Sequence, residues 1–533
     1  MAGTLVQNQT DTAKQNKGAS EQVSFKSWIA VLGTLLGCFM AVLDIIVTNA
    51  SLKEIAGTLA ASQDEISWVP TAYLVAEIVV IPLTAWLSSV FSLRNYLLVN
   101  SILFVIFSVC CGQAHSLSMM ILFRALQGFT GGVLIPLSFT VILTYLPPSK
   151  HPVGLALFSV TAVFAPAVGP LVGGFLTENY GWPYIFYLNV VPGLLLIAAS
   201  WYALHKEEMH ISSLWRGDWW GILTMAVGLA SFEIVLDDGN RKDWFGDPMI
   251  VKLAWVALIS LTAFVIIELR SQDPLVELRL FARRNFALGS VVNIALGCGL
   301  YGFVYILPFY LGSVQGYNSL EIGETIVWMG IPQLLVIPLI PRLMKVIDPR
   351  YIIALGIILF GGATLLTTHL SLSFAGQQFH IPLVIRALGQ PMIMVPISAI
   401  ATEGMAPGRE SGAASALFNM MRNIGGSIGI AALSTLVSVR ERFHSFRIGE
   451  SVSLYSQATQ QRLAQSTEFF TAQSSGGSSQ MRAVLALGAT VRRQALVMAF
   501  SDTFLVLSIV LLSSMAALFF MKKPHVTGGG GAH

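Results

Sequence analysis

Apolar residues in this chain follow neither the period-two alternation of half-buried strands nor the one-sided stripe of a soluble helix. They run on between short polar links. A helix needs about 20 mostly apolar residues to cross a bilayer. Fourteen segments meet that requirement: 28–50, 66–90, 96–113, 118–144, 152–177, 183–204, 218–236, 250–269, 286–310, 322–344, 351–369, 379–404, 413–437 and 500–521. A transmembrane β-barrel is excluded, because its segments would be about 10 residues long and alternating. The pattern therefore predicts an all-α polytopic membrane protein.

The polar links give a direction. With the N-terminus placed in the cytoplasm, the inner links carry Arg94, Lys150, Lys206, Arg216, Arg270, Arg279, Arg283, Arg284, Arg342, Lys345, Arg350 and Arg409, and the tail adds Lys522 and Lys523. The short outer links hold only Lys53, Arg241, Lys242 and Lys252. This bias, with an even number of spans, puts both termini in the cytoplasm. One outer link breaks the short-link rule: residues 438–499, polar and with Arg440, Arg442, Arg447, Arg492 and Arg493. Long translocated segments tolerate such charge, and long links within compact folds are usually functional or disordered. A helix is expected within "SQATQQRLAQSTEFFTAQ". Two readings stand: a disordered spacer, or a partly helical docking surface.

The first six and last six spans are expected to form two similar bundles, with spans 7 and 8 inserted between them. "ILFRALQGFTGGVLIPLS" (121–138) and "LVIRALGQPMIMVPIS" (383–398) share Arg-Ala-Leu, then small residues, then Pro-apolar-Ser. That is the trace of a repeat, and paired bundles around a central site are how many carriers alternate access. The expected organisation is a cytoplasmic tail (1–27), a first six-helix bundle (28–204), a linker with two extra helices (205–270), a second six-helix bundle (271–521) and a cytoplasmic tail (522–533).

Composition agrees. Hydrophobic residues make up 54% and charged residues 11%, against about 25% charge in soluble domains; mean hydropathy is +0.70. A net charge of +3, with no basic cluster beside exposed aromatics, gives no footprint for nucleic acid. Cys38, Cys110, Cys111 and Cys298 lie in apolar runs, without metal-ligand or disulfide-framework spacing. No small-residue cleavage site ends the first apolar run, so it is expected to persist as a helix. Neither metal nor cofactor is implied.

Charges inside the spans carry the candidate chemistry. Asp44, Glu77 and Glu233 are acids, and Arg124, Arg386 and Arg422 bases, in otherwise apolar segments. Intramembrane charges are costly and face a cavity or one another. A buried carboxylate can load and release a proton as a cavity opens to alternate sides. Asp44 is the first choice for that carrier and Glu77 the second, with Arg124 resetting the acid; the competing reading is a static Asp44–Arg124 ion pair. "FAPAVGPLVGGFL" (164–176) and Gly128 suggest a conformational seam: Gly169, Gly173 and Gly174 permit close helix approach, and Pro166 and Pro170 loosen the backbone ladder. Phe39, Met40, Phe158, Phe303, Tyr305, Trp328, Asn419 and Arg422 are candidates to line an adaptable substrate cavity.

These motifs resemble those of the fourteen-helix drug:proton antiporters of the major facilitator superfamily, the EmrB/QacA type. "LDIIVTNASL" is similar to the family's first-helix motif, "RALQGFTGG" to its fourth-helix arginine motif, and "APAVGPLVGG" to its fifth-helix antiporter motif. "GWPYIFYLNVVPG" is similar to Trp-Arg-Trp-Ile-Phe-x-Ile-Asn-Val-Pro, with Pro183 replacing the arginine. The loop "AWLSSVFSLRN" departs from the family's Gly-x-Leu-Ala-Asp-Arg-x-Gly-Arg-Arg: Ala85, Ser89 and Ser92 replace its Gly, Asp and Gly, which puts its latch between the halves in doubt. The resemblance implies a major facilitator fold. The long link before the last span places it nearest the Gram-negative EmrB branch. That branch implies an inner-membrane pump working with a periplasmic membrane-fusion adaptor and a TolC-type outer-membrane channel.

Three functional classes follow: proton-driven export of hydrophobic or amphipathic compounds, a dedicated exporter of one solute such as a siderophore or fatty acid, or a non-transporting scaffold. An ATP-driven pump is disfavoured because no GxxxxGK[ST] loop is present. No nucleophile–base set or metal-spaced cluster suggests an enzyme.

Overall fold

A computed structural model describes residues 23–271, 274–403, 405, 409–453, 455–473 and 479–523, so most of both predicted tails lies outside the described residues. Among those described, helices account for all regular structure. The principal ones are α1 (Phe25–Ala50), α2 (Trp68–Phe91), α3 (Leu93–Gly112), α4 (Leu117–Tyr145), α5 (His151–Tyr180), α6 (Pro183–Ala203), α7 (Trp219–Gly239), α8 (Pro248–Arg270), α9 (Arg284–Gln315), α10 (Leu320–Leu343), α11 (Pro349–Leu366), α12 (Gly376–Ala401), α13 (Arg409–Ser451), α14 (Gln457–Gln473) and α15 (Ser479–Phe520). Twelve are long and apolar enough to cross a membrane, and α5, bent by 41° between Val153–Pro166 and Val168–Tyr180, makes a thirteenth. The remaining predicted span, 413–437, falls inside α13. Arg422, Asn423 and Ser427 make that helix more polar than its neighbours.

Helix ends follow local chemistry. The Asp247 carboxylate accepts from the Met249 N–H at 2.7 Å, and Pro248 at the first position of α8 needs no partner for its nitrogen. Gly181, at φ +97°, ends α5, and its N–H donates back to the Leu176 and Thr177 carbonyls. The α5 bend falls where Pro166 and Pro170 remove backbone donors.

The first bundle packs α1 against α4, α5 and α6, with α4 against α2 and α3. The second packs α9 against α12, α13 and α15, and α11 against α12 and α15. The bundles meet along α5 with α10 and α12, and along α13 with α2 and α4. Helix α8 lies on α7 and turns Trp255, Leu258 and Ile259 outward, each more than half exposed, as suits a lipid-facing helix. Helix α7 is not peripheral: it packs on both α2 and α13.

Close approach decides several glycines. A Cβ on Gly128 would strike the Tyr73 backbone across α4 and α2, and Gly297 and Gly425 let the backbones of α9 and α13 touch.

The long polar link is helical. Helix α13 runs on past residue 437 to Ser451, about 20 Å at 1.5 Å per residue. The early part of α15 returns beside it, and α14 lies on α15. Asp502 accepts from Arg440 Nε at 2.6 Å and bonds His444 Nε2 at 2.7 Å, joining α13 to α15. Arg493 donates to the Val314 carbonyl at 2.8 Å, tying the hairpin to the end of α9. Phe446, Tyr455, Met481 and Leu485 stand exposed on it.

Candidate functional site

Asp44 lies in the second half of α1, 3% exposed, and both its oxygens are occupied. Oδ2 accepts from Arg124 Nη1 at 2.5 Å. Oδ1 accepts from Asn189 Nδ2 at 2.6 Å and from Gln127 Nε2 at 3.0 Å. Arg124 is fully buried; it also donates to Gln127 Oε1 at 2.8 Å, and its guanidinium stands 4.3 Å from the Tyr73 ring centre. Asn189 reaches Ser108 Oγ at 3.0 Å. Four helices, α1, α3, α4 and the start of α6, thus converge on one carboxylate inside the first bundle. A buried ion pair is costly unless its remaining hydrogen-bonding capacity is met; polar residues in otherwise apolar spans meet that of the carboxylate, while Arg124 Nη2 is buried without a partner among the described residues. Asn189 and Ser108 were not singled out from the sequence; a lone polar residue at bilayer depth is the signal that finds them.

Glu77, on α2, is 4% exposed, and no hydrogen bond or ion pair engages its carboxylate among the described residues. Its charged surroundings are Glu233, Arg124, Arg422 and Asp44. The Cβ of an alanine at Gly132 would lie 2.9 Å from its Cγ, so α4 presses on its stem.

From the second bundle, Arg422 on α13 faces this region. It is 4% exposed, donates to Asn419 Oδ1 at 2.8 Å and sits 5.8 Å from the Phe158 ring centre on α5. It makes no ion pair among the described residues. Phe39 stacks on Phe164 with centroids 6.2 Å apart, on the α1–α5 side.

Other cavity candidates lie elsewhere. Met40 turns toward α6, its sulfur 3.7 Å from where a Cβ on Gly193 would stand, and is packed within the first bundle. Phe303 is 1% exposed inside the second bundle, under the Arg386 guanidinium at 4.0 Å and beside Phe504. Each is packed inside its own bundle. Tyr305 and Trp328 are 42% and 39% exposed, the latter beside His380.

The 164–176 stretch of α5 packs on two sides, its glycines turned into their own bundle. Gly169 and Gly173 face Ile46 and Val47 of α1, and Gly128 faces α2, all within the first bundle. Pro166, Pro170 and Gly174 are buried in α5. A tight contact between the halves is made by Leu171 of the same stretch against Gly323 of α10, whose Cβ would come 2.6 Å from the Leu171 Cα. Arg94, at the end of the altered loop, donates to the Trp201 carbonyl at 2.8 Å and lies over its ring, so it is held by its own bundle.

The repeat is visible as geometry. Arg386 occupies the second bundle as Arg124 does the first. Arg386 is fully buried, donates to Thr364 Oγ1 at 2.6 Å and to the Gly299 carbonyl, and is sandwiched by Phe303 and Phe360. It has no carboxylate partner among the described residues. Among the described residues the second bundle keeps the cation without the acid, and the buried carboxylates are Asp44 and Glu77 in the first bundle, Glu233 and Asp238 on α7 and Glu268 on α8.

Comparison with known proteins agrees with this architecture. The Major Facilitator Superfamily profile matches residues 34–430. The chain is 31% identical over 507 residues to the multidrug export protein EmrB of Escherichia coli (strain K12), covering 94% of this chain and 97% of that one. It is 30% identical over 497 residues to the colistin resistance protein EmrB of Acinetobacter baumannii, covering 93% and 96% respectively. The crystal structure of the human organic anion transporter MFSD10 superposes with a TM-score of 0.56 over 91% of this chain and 99% of its own, at 14% identity, a likeness of fold alone. Paired helical bundles, a repeated buried arginine and these relatives lead to one conclusion: the chain is a multi-pass membrane transporter, not an enzyme, and it belongs to the Major Facilitator Superfamily.

Proposed function

We propose that this transporter exports hydrophobic or amphipathic toxic compounds across the bacterial inner membrane in exchange for protons, with both termini cytoplasmic. The observation that carries the reading is Glu77: a buried carboxylate on a helix packed against α13, within electrostatic reach of Arg422, neither of them in an ion pair among the described residues. Such a group can alternate between protonated and ionised as the bundles rock. Asp44 is already saturated by three donors and would have to leave them to titrate. Glu77 is therefore the first choice of proton carrier here and the Asp44–Arg124 pair its fixed neighbour, the reverse of the order expected from the sequence. The multidrug export and colistin resistance named for the two EmrB relatives support a broad range of cargo. Phe39, Phe158, Asn419 and Arg422 are the residues proposed to meet it. The test is uptake into proteoliposomes of ethidium, an amphipathic cation. An imposed proton gradient, acid inside, is expected to drive accumulation that collapses with the gradient; accumulation indifferent to the gradient would reject proton exchange.

We further propose that the α13–α15 hairpin docks a periplasmic membrane-fusion adaptor leading to a TolC-type channel. Its exposed apolar residues and arginines suit a helical partner, with the charges giving orientation more than affinity. Shortening residues 445–490 while keeping both flanks is expected to abolish adaptor co-purification and cellular resistance and to leave vesicle transport intact. Unchanged adaptor recovery rejects docking, and lost vesicle transport makes the hairpin a lid.

A further inference from the structure

Helix α7 belongs to neither bundle, yet it is tied to both. Asp237 accepts from Thr71 Oγ1 of α2. On the other side, Glu233 Oε1 accepts from Ser427 Oγ of α13 at 2.9 Å, and just beyond α7 Asn240 reaches Ser438 at 3.3 Å and Trp244 donates to Thr435 Oγ1 at 3.0 Å. A helix whose only task was to lengthen the linker would need no acid at these contacts. Glu233 is nonetheless 4% exposed, and its Oε2 is buried without a partner among the described residues. Among the described residues no cation pairs with it. On its own helix Asp237, one turn on, acts on it electrostatically, and its own charge acts on Glu77 of α2, the helix on which α7 packs. The cations of the region, Arg422 on α13 and Arg124 on α4, act on Glu77, whose further neighbour is Asp44 on α1.

Two buried carboxylates in electrostatic contact repel when both are ionised, and one proton held between them removes that repulsion. We propose that Glu233 is a second proton-binding residue of the transport cycle, holding one proton jointly with Glu77 where α7 meets both bundles. This rests on the proton-exchange reading above. A proton arriving on either carboxylate forms one O–H bond and cancels one negative charge. Its departure restores the repulsion between α2 and α7, on the very contacts that must change as the halves move. The inter-bundle helix then participates in coupling and is not a passive insertion.

The test uses the whole protein. Dicyclohexylcarbodiimide reacts with protonated carboxyl groups in apolar surroundings, so peptide mapping of the treated wild type is expected to find an adduct on Glu233 that fades as pH rises. Absence of that adduct at every pH overturns the proposal, whatever any variant does. In proteoliposomes, Glu233→Gln is expected to lower gradient-driven ethidium accumulation about 5–150-fold, the range of typical coupling free energies, while ethidium exchange without a gradient persists. Ser427→Ala removes the hydrogen bond and keeps the acid, and is expected to keep gradient-driven uptake. If Ser427→Ala reproduces the Glu233→Gln defect, Glu233 is a helix tie and the proposal falls. If wild-type uptake ignores the gradient, proton exchange itself fails; if wild-type uptake follows the gradient and Glu233→Gln matches it, only this inference fails.

Discussion

Arg124→Leu is expected to destabilise the protein by about 3–5 kcal/mol, the usual result of stripping one partner from a buried ion pair. The substitution leaves the Asp44 carboxylate at 3% exposure with Asn189 and Gln127 as its donors among the described residues, and it also removes the hydrogen bond to Gln127 Oε1 and the contact with the face of Tyr73. Neutral donors solvate a carboxylate but do not cancel its charge. The readout is the midpoint of thermal unfolding in detergent together with the amount of protein reaching the membrane. The double variant Asp44→Asn with Arg124→Leu keeps an acceptor for Asn189 and leaves no uncompensated charge. It is expected to recover much of the loss, with a coupling of about 1–3 kcal/mol in the double-mutant cycle. Equal damage in the single and double variants would show that packing around Tyr73, and not charge balance, sets the stability there.

Glu77→Gln is expected to act oppositely: little effect on folding and a large one on coupling. Glutamine preserves shape and removes the charge, and no hydrogen bond or ion pair is lost among the described residues. Burial of an unpaired charge opposes folding, so the unfolding midpoint should stay level or rise. Gradient-driven ethidium accumulation is expected to fall about 5–150-fold, with gradient-free exchange retained. Asp44→Asn strips charge from the saturated pair and should instead reduce exchange and stability together, because Arg124 is left unpaired. If Asp44→Asn alone uncouples transport without loss of stability, the roles of the two acids are reversed.

Much of the architecture was legible because bilayer physics leaves few options. Apolar runs of spanning length, lysine and arginine on one set of links, and the repeated Arg-Ala-Leu segments led to two helical bundles with Arg124 and Arg386 in corresponding places. The Asp44–Arg124 alternative was also readable, since two opposite charges at bilayer depth seek each other. What the sequence withheld was direction. Met40 and Phe303 sit in spans as Phe158 does, but which way each points depends on helix rotation, and continuous apolar character hides that rotation. The glycine-proline stretch of α5 showed that something packs closely without showing that its glycines face α1 while Leu171 meets the other half; Gly323, its partner on α10, gave no motif. The role of α7 was hidden for a different reason. Glu233 is a single acid in an apolar run, and only the contact with Ser427 and the nearness of Glu77 give it meaning.

Substrate-induced proton release from purified protein in weakly buffered detergent solution tests proton-for-compound exchange most directly. Adding ethidium at saturating concentration to the wild type is expected to acidify the solution, and adding it to Glu77→Gln is expected to leave the pH unchanged while ethidium still binds. Binding by the wild type with no proton released, or undiminished release from Glu77→Gln, would contradict the account.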